Sequence, residues 1–196
     1  MATEDHAAEA YQVAWEAFCR ADLPQLEELT YLSPFPCGLD GWLGNHWLTS
    51  AIDTGNADAV AWVLSKGPRV DFIDGGFTAL KSALQTEKDW PHSSGRHGRT
   101  AEEAADVTIR LIDMLLAAGA DINQRMGLDD TALHTAVLWS SPRVLRHLLA
   151  CGADPFVWNS EYGPSRPIDD AKRAKRYDNW AILRDAMLAA RPDDPI

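Results

Sequence analysis

Residues 131–136 read Thr131-Ala132-Leu133-His134-Thr135-Ala136, and Val144-Leu145, Leu148-Leu149 and Gly152-Ala153-Asp154 follow in order. Threonine ahead of an apolar helical stretch caps the free backbone amides of a first turn. Leucine and a small alanine one turn on make a face that a neighbouring element can approach closely. The leucine pairs read as the buried stripe of a second helix. Gly152 stands where a helix closes on a left-handed residue, and Asp154 favours the turn beyond it. The stretch is therefore helix, turn, helix, turn. One such pair cannot bury both of its faces, so it must stack on further copies.

Copies run along most of the chain. Thr78-Ala79-Leu80-Lys81-Ser82-Ala83 opens a unit that ends in Leu115-Leu116, Gly119-Ala120-Asp121 and Asn123. Trp47-Leu48-Thr49-Ser50-Ala51 opens another that ends in Val63-Leu64 and Gly67, and Pro167-Ile168-Asp169-Asp170-Ala171 begins a last one. Ala14 to Phe18, with Asp22-Leu23 and Leu26 to Leu29, forms a degenerate first unit. The closing alanine of the opening motif recurs at 51, 83, 136 and 171, in steps of 32, 53 and 35 residues.

In order and spacing these landmarks resemble the ankyrin repeat, whose period is about 33 residues. The one long step exceeds that period by about 20 residues, and the excess falls at about 86–99. That segment is rich in Ser, Gly, His, Pro and charge and reads as an inserted loop. Thr100-Ala101-Glu102-Glu103 after it is a capping box, which predicts a helix from about 101 to 118. The fold implied is all-α: an ankyrin-repeat solenoid of about four to five helix–turn–helix repeats with short projecting fingers. It forms one domain over 1–196, divided into a degenerate repeat 8–40, repeats 44–74, 76–126 (with the insert) and 129–160, and a C-terminal capping repeat 164–190. Lys81, Thr49 and Asp169 depart from the pattern, which has His there, and Pro68 replaces the usual Ala. The inter-turn hydrogen bonds of those units are thereby in question.

The chain has 196 residues, of which 46% are apolar and 24% charged, an ordinary globular composition. No apolar run approaches a membrane span, and the polar start Met1 to Glu9 does not read as a secretory leader. Cys19, Cys37 and Cys151 are widely spaced with no CxxC pair, which suits reduced thiols in the cytoplasm and argues against a disulfide framework or a zinc site. Twenty-nine acids oppose 18 bases, for a net charge of −11. Residues 1–65 carry ten acids and one base, Arg20, so nearly all the excess lies in the first third. Such a charge repels nucleic acid and anionic membranes and attracts basic partners.

No nucleophile elbow, phosphate loop, dinucleotide fingerprint or zinc-protease helix motif occurs, so no catalytic residue, cofactor or metal is assigned and the chain reads as a non-enzyme. His134 belongs to the repeat motif as a turn-linking hydrogen-bonder, and His147 is a half-buried member of a second helix. His92 and His97 in the insert would be the residues of an alternative metal-binding or catalytic protein, but no carboxylate or cysteine stands at ligand spacing. Trp15 and Trp62 occupy apolar helical positions and read as core. The basic run Lys172 to Arg176 reads as a solvated face of the last repeat.

The resemblance implies protein recognition through a concave face of fingers and first helices. The residues that alignment puts there are Asp71, Phe72 and Asp74 in one finger, Phe156, Trp158 and Tyr162 in another, and Trp139 near the end of a first helix. Large rings at projecting positions suit a binding surface; the alternative is that neighbouring fingers pack these rings on each other. The function this implies is capture of one specific, basic protein partner by a protein that is a monomer when free. The short acidic chain looks like a bacterial immunity protein that neutralises a cognate toxin. A regulator of a transcription factor or kinase is the alternative.

Overall fold

The computed structural model describes residues 2–32, 34–40, 43–88, 98–160 and 164–193, with side chains described from residue 8 onward and that of Leu128 excepted. Ten α-helices run along these residues: α1 (Ala2–Arg20), α2 (Leu23–Glu28), α3 (Trp47–Asp53), α4 (Ala57–Ser65), α5 (Ala79–Gln85), α6 (Ala101–Ala117), α7 (Ala132–Trp139), α8 (Pro142–Ala150), α9 (Pro167–Arg173) and α10 (Tyr177–Ala190). They form five antiparallel pairs. First helices α1, α3, α5, α7 and α9 pack in one row, and second helices α4, α6, α8 and α10 in another. No strand occurs among the described residues. Isolated antiparallel bridges join Leu39 to His46, Asp74 to Phe77 and Asn159 to Ser165, each just ahead of a first helix. They close the fingers, which makes the architecture the all-α repeat solenoid that the sequence implies.

The helix ends are set locally. The Thr78 hydroxyl accepts the Lys81 amide, and the Thr100 side chain and Glu103 carboxylate cap each other's backbone. At the other end Gly152 has φ 95°, donates its amide to Leu149, and lets Ala153 reach back to Leu148. This double bond satisfies two of the last carbonyls of α8 and needs a left-handed residue that only glycine adopts without strain. Gly119 repeats it after α6.

Continuous burial holds the rows together. Leu48, Leu80, Leu133 and Ile168, one each from α3, α5, α7 and α9, are at most 2% exposed. Ala51, Ala83, Ala136 and Ala171 are fully buried, which permits the close approach of neighbouring pairs. At the N-terminal end rings replace the leucine stripe: Phe35 lies edge-on to Trp47 and stacks on Phe18. Trp62 is buried as expected, and Trp15 is half-buried against Tyr11.

His134 and two of the three residues that replace histidine in the other units each make a side-chain hydrogen bond. His134 accepts the Thr131 amide on Nδ1, and burial lowers its pKa, so the ring is neutral. Asp169 does the same work in its own unit, its carboxylate accepting the Arg166 amide and guanidinium. Thr49 turns the other way and donates to Asp74 in the next finger.

The edge formed by the inter-helix turns is stitched by side chains that cap a neighbour's backbone. Asn56 donates to the Cys19 carbonyl, Arg99 to Gly55, and Arg176 and Asn179 to Ser140. Glu87 accepts the Ser141 amide. Gly55 has φ +63°, a left-handed conformation that favours glycine, and the Arg99 guanidinium tip lies against it. Thr86 and Glu87, non-helical residues at the root of the insert, are buried against the helices, and the Thr86 hydroxyl meets that of Thr108. Residues 89–97, which include His92 and His97, lie outside the described residues.

Candidate protein-binding face

Each finger is built by its own backbone and then tied to the next. In the first, the Asp40 carboxylate accepts the amides of Leu43 and Gly44 and folds the turn. In the second, Asp74 and Phe77 exchange both backbone bonds. The third closes by a bond from the Met126 amide to the Asp130 carbonyl, and the fourth by the Asn159–Ser165 pair. Side-chain amides then bridge fingers: Gln124 donates to the Asp71 carbonyl, and Asn123 brackets the next turn by donating to Gly152 and accepting from Asp154. The Arg125 guanidinium donates to the Trp158 carbonyl. Asn159, Ser165 and Asp170 make a buried polar cluster under the last finger, and Asn159 also donates to Asp130.

Against this frame the expected binding residues divide. Phe72 is 5% exposed, because its ring lies flat on His46 with centroids 4.0 Å apart. Asp74 is 9% exposed and accepts the His46 amide at 2.8 Å and the Thr49 hydroxyl at 2.7 Å, with His46 Nδ1 at 2.6 Å from its other oxygen. Neither side chain is available as a surface anchor. For Phe72 the packing of neighbouring fingers, and not a partner, explains the ring. Asp71 is exposed but salt-bridged to Arg69, whose hydrogen bond holds the carboxyl below its usual range. Phe156 is half-buried, with the Arg191 guanidinium 3.9 Å above its ring. Tyr162 lies outside the described residues.

Two expected residues do stand out of the surface. Trp158 is 51% exposed on the fourth finger and Trp139 55% exposed at the end of α7. Each carries a cation on its face, Arg166 at 5.4 Å from the Trp158 centroid and Lys88 Nζ at 4.7 Å from that of Trp139. Such pairs attract the cation to the ring face and help to hold the ring in place. Burial and the nearby Lys81 charge lower the Lys88 pKa. Lys81 in turn covers the Phe77 ring at 4.4 Å, so the first-helix row presents cations and rings together. Sequence reasoning passed over the exposed aliphatics Leu39 and Leu43 of the first finger and Ile73 of the second. Their signal was available, since an apolar side chain at a turn tip has no core to enter.

Much of the acid excess is employed internally. Glu27 accepts Lys66 and the Trp62 indole, Asp58 pairs with Arg110, Glu16 with Arg20, and Asp40 is inside its finger. In the basic run of the last unit, Arg173 pairs with Asp170 and Arg176 holds the Ser140 carbonyl, so two of its cations are structural. No described helix is long and apolar enough to cross a membrane.

Comparison with known proteins gives one assignment: residues 128–160 match the family described as Ankyrin repeat. No curated protein matches the chain. The matched segment covers a finger together with α7 and α8, and the remaining helix pairs stack beside it in the same two rows. The chain thus carries one segment that matches the ankyrin repeat, a protein–protein interaction module.

Proposed function

We propose that the protein captures one specific partner protein on its fingers and first helices and, as an immunity-type protein, neutralises a cognate toxin by occupying it. The observation that carries this reading is the pair of indoles Trp139 and Trp158, each more than half exposed. A large ring held rigidly in water gains its burial free energy only against a second molecule, and central aromatic anchors dominate such interfaces. Leu39, Leu43 and Ile73 extend the apolar surface along the earlier fingers. The net negative charge of the first third, several of whose acids are engaged within the fold, supports a basic partner at that end, while Lys88 and Arg166 frame the indoles at the other. In this reading the free protein is a cytoplasmic monomer that performs no chemistry and binds neither nucleic acid nor membrane.

The test begins with affinity capture from the native host and identification of what is retained. Expressed alone, the captured partner arrests growth, and co-expression of this chain restores it. Trp158→Ala raises the dissociation rate by a factor equivalent to about 2 kcal/mol or more without changing the far-ultraviolet circular dichroism. A partner that is harmless alone refutes the immunity role, and unchanged dissociation of the Trp158 variant refutes the placement of the interface.

A further inference from the structure

On the row of second helices, away from the fingers, α6 and α8 bring together three groups of different chemistry. His147 and Cys151 lie four residues apart on α8 and its C-cap, so they share one face of a single turn. Asp113 on α6 lies 34 residues before His147, about one repeat period, and stacking of the two units places it opposite. His147 Nε2 stands 2.7 Å from Asp113 Oδ1 and 3.6 Å from Cys151 Sγ, and the three ligand atoms all lie within 4.8 Å of one another.

We propose that Asp113, His147 and Cys151 form a zinc site that clips the third helix pair to the fourth. A tetrahedral zinc ion with bonds of about 2.0–2.3 Å separates its nitrogen, oxygen and sulfur ligands by about 3.3–3.6 Å. The sulfur–nitrogen edge already has that length. The nitrogen–oxygen edge has to widen by about 0.6 Å, which a half-exposed aspartate on a helix surface does by a small rotation. One thiolate, one imidazole and one carboxylate suit a borderline-soft divalent ion and not a hard one. Solvent reaches the site, since the Asp113 side chain is 55% exposed, so water completes the fourth position.

The proton balance is simple. His147 binds through neutral Nε2, Asp113 binds as the carboxylate, and Cys151 releases its thiol proton to solvent as the Zn–S bond forms. Without the ion, burial and the Asp113 charge raise the Cys151 pKa, which keeps the thiol protonated and inert. A divalent cation at the centre of the triad reverses both effects. Cysteine spacing along the chain argues against zinc because it registers only cysteine pairs. The triad uses one cysteine and draws its carboxylate from the preceding repeat.

Cobalt(II) titration of the reduced full chain tests the site directly. The expected result is a thiolate-to-cobalt charge-transfer band saturating at one ion per chain and displaced by zinc. Cys151→Ser abolishes the band. His147→Gln and Asp113→Asn weaken cobalt binding at least about tenfold. The double variant Cys19→Ser, Cys37→Ser retains the band. Zinc raises the melting temperature of the wild-type chain and leaves that of Cys151→Ser unchanged, which reports the clip independently of colour. All variants are compared at equal helicity by circular dichroism. Absence of the band in the wild-type chain, or its survival in Cys151→Ser, overturns the site and leaves His147 and Asp113 as an ordinary inter-repeat ion pair.

Discussion

Replacing Asp74 by alanine separates an internal strut from a partner contact. The carboxylate collects three donors from the preceding unit: the His46 amide, the His46 ring nitrogen and the Thr49 hydroxyl, all within 2.8 Å. Removing it leaves those donors facing a small cavity in a site only 9% exposed. A hydrogen bond to a charged acceptor contributes about 1.5–3 kcal/mol, but the three share one acceptor and water can reach the partly exposed His46 ring. A total of about 3–5 kcal/mol follows for breaking such a cluster from one side. In a chain of this size each 1 kcal/mol shifts the melting temperature by about 2–4 °C, so Asp74→Ala should melt about 10 °C lower. Asp74→Asn keeps a neutral acceptor and should fall in between. Asp71→Ala, three residues away and solvent-exposed, should leave melting unchanged. Urea unfolding with hydrogen exchange localises the effect, and amides at 43–47 and 72–78 should lose protection first. Equal stability of Asp74→Ala and Asp71→Ala would refute the reasoning and return Asp74 to the surface.

Three further outcomes are expected. Leu148 is fully buried between the rows, so Leu148→Ala should cost about 2–5 kcal/mol in urea denaturation; no loss would contradict the stacking register. Desolvation raises the Asp53 pKa from 3.8 to about 7. Since the folded chain then holds that proton more tightly than the unfolded one, stability should fall as pH rises from about 4 to 7, by at most about 4 kcal/mol, and Asp53→Asn should remove that slope in a pH series of melting curves. Glu87→Ala deprives the Ser141 amide of its acceptor and should cost about 1 kcal/mol, read as a lower urea midpoint with unchanged helicity.

What could be read from the residues was what each unit does alone. Thr78, Thr100, Gly119 and Gly152 mark helix ends through their own backbone chemistry, and the structure keeps every one of them. The periodic leucines and alanines carry the stacking because burial follows helical phase. Residues whose role depends on the adjacent unit were not legible. Asp74 has the composition of a solvated turn acid, and only its juxtaposition with His46, 28 positions earlier, turns it inward. Phe72 failed for the same reason, its ring being claimed by that same histidine. His147 and Cys151 share a helical turn, but Asp113 meets them only after one repeat is laid on the next. Trp139 and Trp158 remain half exposed because the neighbouring units reach them only with a cation, Lys88 and Arg166, and do not cover their rings.

The capping bonds along the turn edge fix the mechanical character of the stack. A row of helix pairs held by apolar contact alone is a soft spring, since greasy faces slide with little resistance. Here Asn56, Glu87, Arg99, Arg176 and Asn179 each pin a backbone group of an adjoining turn. Directional bonds oppose shear, and the central unit is pinned on both sides, through Arg99 to Gly55 and through Glu87 to Ser141. The placement of each unit against the next is therefore preset by these bonds as well as by apolar contact. A stiff template surrenders little entropy on association, so a partner of the proposed kind would be selected by its fit to fingers that are already in place.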